Sequence, residues 1–391
     1  MQNLPVTPAF EENNLAITMQ TSDFFAPYAS VAALSIIENS SPDYNYDILF
    51  MTWDMREETA KKLLTLAEGR DNVSVRVVNV LDKLNTYQAI AQTSSGFDRF
   101  SYTGMVRLLL PQLLEHYHYV LNLDCDMLVF SDVSEVFQYD ISNHYMGAVP
   151  DIYCYTLNHR PGEKRYTDEY MLKRLGLRSA AEYMNGGFLF LNLRLIREHY
   201  TVSQIMDFAV RDGTILRCFE QDTFSGLFQD NKLVLPFEWN WFNDMPRQLG
   251  PFLKYLPEED AYIEAHRQAE AHIKNIHYVT GKKPWFMDPG YPYSKEWWDV
   301  AVRSPFLGDI VTRAMDDNIA ELYDKNRSLG KEIKKLKSRV QALEREKAQL
   351  QASNTYKLAM KLRALGDSPV GKLLKKPFRG LVKLYKKLKR M

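Results

Sequence analysis

From residue 15 to residue 123 the sequence changes its hydrophobic period again and again, and that alternation leaves few architectures open. Apolar, strand-favouring runs at residues 15–19, 47–52 and 73–80 take turns with helical patterns at residues 27–37 and 57–68. A further helical pattern at residues 103–115 precedes the mainly apolar run Tyr119–Leu123. Strands and helices in turn predict an α/β fold, a parallel sheet of the nucleotide-binding type wrapped by helices. With 391 residues, 46% of them hydrophobic, the chain can bury one large core or two smaller ones. The first strand-to-helix turn has no Gly-x-Gly-x-x-Gly, which argues against a dinucleotide cofactor.

The run Tyr119–Leu123 ends in Asp124-Cys125-Asp126. In open α/β sheets ligands bind beyond the carboxyl ends of the strands, where this pair stands. Two hard oxygen ligands there suit Mg²⁺ or Mn²⁺ held against a diphosphate. Asp also serves strand-to-loop turns as a hydrogen-bonding residue, so the pair alone leaves both readings open. A second apolar run, residues 188–193, follows Asn185-Gly186-Gly187, and the two glycines allow a backbone or ligand to come close. It reads as another strand near the same place.

From residue 261 the pattern becomes irregular and aromatic, with Trp285, Trp297 and Trp298, and the globular body is expected to end near Phe306. Residues 307–353 then carry a mostly apolar seam on alternating steps of three and four: Ile319, Leu322, Asn326, Leu329, Ile333, Leu336, Val340, Leu343, Lys347 and Leu350. Ile and Val at one seam position with Leu at the other favour a parallel two-stranded coiled coil, with Asn326 fixing its register. A solvated single helix is the alternative. Residues 355–391 hold twelve basic residues and one acidic residue, net +11, whereas the preceding 354 hold 37 basic and 48 acidic, net −11. Leu374, Phe378, Leu381, Tyr385 and Leu388 recur there at helical spacing, which predicts a basic amphipathic tail lying on an anionic membrane surface. A solvated basic tail is one alternative, and a nucleic-acid contact is the weaker one, since no stacking module accompanies the charge. Three domains are thus expected: 1–306, 307–353 and 354–391.

Cys125, Cys154 and Cys218 have neither disulfide nor zinc spacing. The first twelve residues lack a basic start and an apolar segment, and no stretch of about 18 apolar residues occurs. The expectation is a cytoplasmic protein, peripheral to the inner face of the cell membrane.

Four further motifs join the acidic pair: Ser22-Asp23-Phe24-Phe25-Ala26-Pro27-Tyr28, Gly104-Met105-Val106-Arg107, Glu220-Gln221-Asp222, and His277 followed by Gly281 and Lys283-Pro284-Trp285. Together with Asp151 and Asn185-Gly186-Gly187 they resemble glycosyltransferase family 8, retaining sugar-nucleotide transferases of the GT-A fold, over roughly residues 15–286. The resemblance implies that Asp124, Asp126 and His277 bind the metal, with the imidazole favouring Mn²⁺ over Mg²⁺. It implies a base pocket at Asp23 and Phe25, where Phe25 keeps a stacking ring but lacks the phenol of the family's Tyr. It implies donor phosphate contacts from Lys283, Gly281 and Arg107, with Gly281 one residue later than the family's glycine because Thr280 stands at the usual place. Asp151 and Asn185 are implied to hydrogen-bond the transferred sugar, and Glu220, Gln221 and Asp222 to flank its anomeric carbon. Gln221 is the matching nucleophile, but a neutral amide is feeble, which favours attack on the same face as the departing phosphate. The implied activity is Mn²⁺-dependent transfer of glucose or galactose from a UDP-hexose to a cell-envelope glycan or lipid-linked acceptor. Two alternatives remain open here: a sugar nucleotidyltransferase, although its Gly-rich basic loop is missing around residues 18–23, and a catalytically impaired scaffold of envelope-glycan synthesis.

Overall fold

The structure, a computed structural model, describes residues 1–91, 102–210, 215–244, 250–251, 253–256, 260–279, 281–288, 290–354, 357, 360–361 and 363–364. It divides into two compact units, Met1–Asp316 and Asp317–Met391. The amphipathic pattern expected between Leu374 and Leu388 lies outside the described residues.

The first unit is built on an eight-stranded mixed sheet. Its strands are β1 (Gln2–Asn3), β2 (Asn14–Gln20), β3 (Asn45–Thr52), β4 (Val73–Asn79), β5 (Tyr119–Leu123), β7 (Met146–Pro150), β8 (Met184–Asn192) and β9 (Lys232–Val234), while β6 (Met127–Val129) belongs to a second sheet. The order across the large sheet is β1-β4-β3-β2-β5-β8-β7-β9. From β1 to β5 every pairing is parallel; β8 runs antiparallel to both β5 and β7, and β9 returns parallel to β7. The parallel half is where α1 (Ala26–Glu38), α2 (Glu57–Leu64), α3 (Leu81–Ala91) and α4 (Tyr102–Leu113) intervene between strands. A parallel neighbour is reached only by a crossover, and a helix supplies it.

The near-continuous apolar reading of these strands has a simple cause. On β3, Tyr46, Ile48 and Phe50 enter one hydrophobic cluster, and Leu49 and Met51 enter another. Successive side chains leave opposite faces of a strand, so a sheet covered on both sides buries every position. The strand of residues 188–193 differs from expectation. β8 starts at Met184, so Asn185, Gly186 and Gly187 lie within the ladder rather than before it. Pro150 pairs with Met184, and the Asp124 N–H donates to the Gly187 carbonyl at 2.9 Å, which keeps this stretch extended.

The second sheet orders β10 (Trp241–Phe242), β11 (Asn275–His277) and β6. β11 runs antiparallel to β6 and parallel to β10, so His277 faces Met127 on one side and Phe242 on the other. Against this sheet packs α9 (Ala261–Ala269), which follows α5 (Ile152–Asn158), α6 (Leu193–His199), α7 (Val202–Ala209) and α8 (Phe219–Leu227) in the chain. Its His266 is 7% exposed, stacked on Trp241 at 5.8 Å and edge-on to Phe237 at 5.3 Å. Burial pulls the His266 pKa from 6.5 down to about 4. Between those values the unfolded chain binds a proton that the folded chain does not, so stability is expected to fall as pH drops through this window and to level off below it. The full effect is about 3 kcal/mol. Urea midpoints at neutral and mildly acid pH should therefore differ less in His266→Phe than in the wild type; equal differences would rule out His266 as the source.

After α10 (Ser294–Ala301), α11 spans Leu307–Ala352. Ile310 and Ala314, in its first turns, are buried in the first unit, so the body extends past the expected end at residue 306. Further along, Ile319, Leu329, Ile333, Leu336, Val340 and Leu343 are each 48–61% exposed. A row of apolar side chains at heptad spacing faces water. The side chains of Leu322, Asn326 and Leu350 lie outside the described residues.

Candidate active site

Asp124-Cys125-Asp126 is the crossing point between the two sheets. β5 ends the large sheet's strand at Leu123, and β6 begins the small sheet at Met127. His277 ends β11, directly opposite Met127, and the Tyr278 N–H donates to the Asp126 carbonyl at 3.0 Å. Strand pairing therefore carries an imidazole from 150 positions downstream to the acidic turn. One donor atom from each of Asp124, Asp126 and His277 lies within 4.8 Å of the others. The His277 Nε2 is 3.3 Å from Asp126 Oδ1 and 3.6 Å from Asp124 Oδ2.

Two carboxylates and an imidazole are a fitting donor set for a divalent transition-type cation. Local geometry fits as well. A Cβ at Gly187 would collide with His277 Cε1 and stand 2.8 Å from Asp124 Oδ2, so only glycine on β8 leaves room for the trio. Burial raises the Asp126 pKa, but the neighbouring His277 and then Lys283 outweigh it and hold the carboxyl well below its usual range.

The trio opens on a cavity of about 480 Å³. Around it stand Asp151, Asn185 and Gln221, with Phe242, Val279 and Gly281 on the small-sheet side and Tyr153, Cys154, Arg165, Tyr166 and Cys218 on another wall. The last group rests on a small hydrophobic cluster of its own that includes Tyr170, Met171 and Tyr183. The three cysteines are free thiols, two of them on this wall.

The predicted residues reach the site to different degrees. Asp151, Asn185 and Gln221 meet there: Asp151 Oδ2 accepts from Asn185 Nδ2 at 3.0 Å and from Gln221 Nε2 at 2.9 Å, while Asp151 Oδ1 caps α5 by accepting the Cys154 N–H at 2.8 Å. Gln221 Oε1 in turn accepts the Gly186 N–H at 2.8 Å. Gly281 lines the cavity, but a Cβ there would meet nothing within 4 Å, so the surrounding protein does not itself demand glycine. Lys283 donates to Asp126 Oδ2 at 2.6 Å and to the Tyr278 carbonyl. Its loop is pinned by Trp285, stacked on Tyr28 at 4.1 Å.

Arg107 and Glu220 differ from expectation. They lie behind the cavity wall rather than on it. Arg107 is 2% exposed and bridges Asp124 and Glu220, the latter at 3.0 Å. Its charge is already committed, which is why it buttresses Asp124 instead of reaching into the open pocket. The Glu220 carboxyl, held above its usual pKa by burial that Arg107 only partly offsets, sits where a Cβ at Gly104 would collide with it. Asp222 is a core residue: Tyr183 and Tyr170 hydroxyls donate to it at 2.5 and 2.6 Å and the Cys218 N–H at 2.8 Å. Asp23 pairs with exposed Arg56 at 2.8 Å, and Phe25 is 46% exposed; neither lines the cavity. Asn240, which no sequence motif flagged, accepts at Oδ1 from His277 Nδ1 at 2.9 Å. The only sequence signal was a polar residue inside the aromatic run Phe237-Glu238-Trp239-Asn240-Trp241.

The model of the family described as "Glycosyl transferase family 8" matches residues 16–288. A Haemophilus influenzae protein named as a glycosyltransferase is 24% identical over 230 residues, 59% of this chain and 63% of that one. This chain therefore spans less than two thirds of that relative's length. Among solved structures, the bifunctional glycosyltransferase WbbM, in its apo form, gives a TM-score of 0.68 at 23% identity, covering 79% of this chain and 53% of its own. The galactosyltransferase LgtC in complex with donor and acceptor sugar analogues gives 0.58 at 20% identity, covering 74% and 96%. At these identities the likeness to both structures is one of fold: a mixed α/β sheet, largely parallel, of the GT-A type.

Proposed function

This chain belongs to glycosyltransferase family 8, and from that premise we propose that it is a divalent-metal-dependent, retaining hexosyltransferase that uses a UDP-sugar. The observation carrying the reading is the meeting of Asp124, Asp126 and His277 at the mouth of a cavity whose wall includes Asp151, Asn185 and Gln221. Asp124, Asp126 and His277 would hold the cation, with Mn²⁺ favoured by the imidazole. When bound, it supplies positive charge where the departing diphosphate becomes more negative. Lys283, already fixed beside Asp126, adds a second preorganised positive charge at that place. Asp151 and Asn185 offer acceptor and donor atoms for sugar hydroxyls. The Gln221 oxygen is engaged by the Gly186 N–H, which adds to the weakness of a neutral amide as nucleophile and supports same-face attack without a covalent intermediate. Glucose or galactose is the proposed hexose, and a cell-envelope glycan or lipid-linked glycan the proposed acceptor.

The deciding experiment is a panel of sugar nucleotides followed by UDP release, with chelator, Mg²⁺ and Mn²⁺. UDP-glucose or UDP-galactose should be turned over, with Mn²⁺ restoring what the chelator removes. Release of pyrophosphate would identify a nucleotidyltransferase instead. Neither turnover nor binding of UDP would identify a scaffold.

The exposed seam of α11 supports a parallel coiled-coil dimer, since six large apolar side chains on one heptad row lose little by meeting a copy and lose much by staying in water. Sedimentation of the full chain carrying Leu336→Lys and Val340→Lys should show monomer where the wild type shows dimer. An unchanged mass would sink the dimer. The twelve basic residues beyond residue 354 suit adsorption to an anionic membrane at the cytoplasmic face; no helix among the described residues is long and apolar enough to cross a bilayer.

A further inference from the structure

We propose that Asp151, Asn185 and Asn240 form a directional relay that keeps a proton on Nδ1 of His277 and turns Nε2 to the cation site, and so joins cation binding to the pocket for the transferred sugar. The inference rests on the reading of His277 as a ligand given above and adds to it three positioning roles.

Each primary amide has an end that donates and an end that accepts, whereas a carboxylate only accepts and a backbone N–H only donates. Those fixed ends orient everything between them. Asp151 Oδ2 takes the Asn185 Nδ2 donor at 3.0 Å, which turns Asn185 Oδ1 the other way. There it accepts the Gly187 N–H at 2.9 Å, an independent check, because that group cannot accept. The same oxygen accepts Asn240 Nδ2 at 2.9 Å. With its nitrogen so committed, Asn240 presents Oδ1 to His277 Nδ1 at 2.9 Å, and an amide oxygen can only accept. Nδ1 therefore carries a proton. Nε2 is then the ring nitrogen that faces Asp126 and Asp124 and is left for a cation. Asn240 is 1% exposed, so water does not compete for either end of its amide.

The relay has a functional consequence. Asp151 and Asn185 stand on the cavity wall, yet the direction of their hydrogen bonds sets the chemistry of an imidazole on the other sheet. A sugar hydroxyl that binds Asp151 or Asn185 acts on the same chain of amides, and coupling between two sites is reciprocal in free energy.

Mn²⁺ titration of the full chain without nucleotide tests this, using Asn240→Leu and Asn240→Asp beside the wild type. Asn240→Leu removes the Nδ1 acceptor and should weaken Mn²⁺ about 10- to 100-fold, the usual cost of losing an outer hydrogen bond to a metal-binding His. Asn240→Asp still accepts from Nδ1 but cannot donate to Asn185; it should hold Mn²⁺ at least as well as the wild type while losing kcat/KM for the donor. Long-range ¹⁵N spectra of the metal-free wild type should show His277 Nδ1 protonated. Wild-type Mn²⁺ affinity in Asn240→Leu, or an Nδ1 without a proton, would overturn the relay. Absence of any Mn²⁺ binding by the wild type is a different failure, which overturns the metal reading and the relay with it.

Discussion

One methyl group at residue 187 is expected to remove cation binding and cut UDP release by about a thousandfold, the size of the electrostatic contribution of one unit charge at about 4 Å in a partly buried site. The added Cβ of Gly187→Ala would collide with His277 Cε1 and stand 2.8 Å from Asp124 Oδ2 and 3.0 Å from Asn185 Oδ1. None of the three can step aside cheaply. His277 is held by Asn240, Asp124 by Arg107, and Asn185 by Asp151. The strand should survive, since overpacking of this kind costs about 1–3 kcal/mol against a typical stability of about 5–15. Circular dichroism and Mn²⁺ titration on one preparation separate the two effects. A folded Gly187→Ala protein with wild-type Mn²⁺ affinity would show that the trio is not the cation site.

Asp124→Ala is expected to abolish Mn²⁺-dependent UDP release by at least a comparable factor, about three powers of ten, and to destabilise the fold as well. Two losses coincide at this residue. One cation ligand disappears, and Arg107, buried behind the cavity, keeps Glu220 as its carboxylate partner among the described residues. Breaking a fully buried pair costs about 3–5 kcal/mol; Asp124 is partly exposed, so the cost here should fall below that range. Asp124→Asn keeps an oxygen for the Arg107 guanidinium while removing the charge. It should be as inactive as Asp124→Ala but melt closer to the wild type. Turnover persisting in both variants would refute a metal role for Asp124, and equal melting of the two would refute the buttress.

How far the site was legible in the sequence follows from how far apart its parts lie along the chain. Asp124 and Asp126 could be placed from local pattern, because an apolar run and its acidic end are contiguous, and β5 spans the expected Tyr119–Leu123. His277, Lys283, Asp151 and Gln221 came from likeness to a family, since nothing near them in the chain says what they face. Arg107 could be found but not oriented. An arginine on a helix reads the same whether it points to solvent or, as here, to two carboxylates behind a pocket. Asn240 gave almost no signal, because an amide becomes a positioning group only when both of its ends meet fixed partners.

What the sequence determined by itself is therefore the repertoire of elements: the alternation that makes a parallel sheet, the acidic end of β5, and the heptad row of α11. These are local, since period and turn chemistry act over a few residues. Tertiary structure alone decided that β6 leaves the large sheet immediately after Asp126 and pairs with β11, bringing His277 home, and that Asn185-Gly186-Gly187 lies inside a strand pressed against it. Register between distant strands and the direction of a buried amide both depend on partners supplied by the folded chain. No window of sequence contains them.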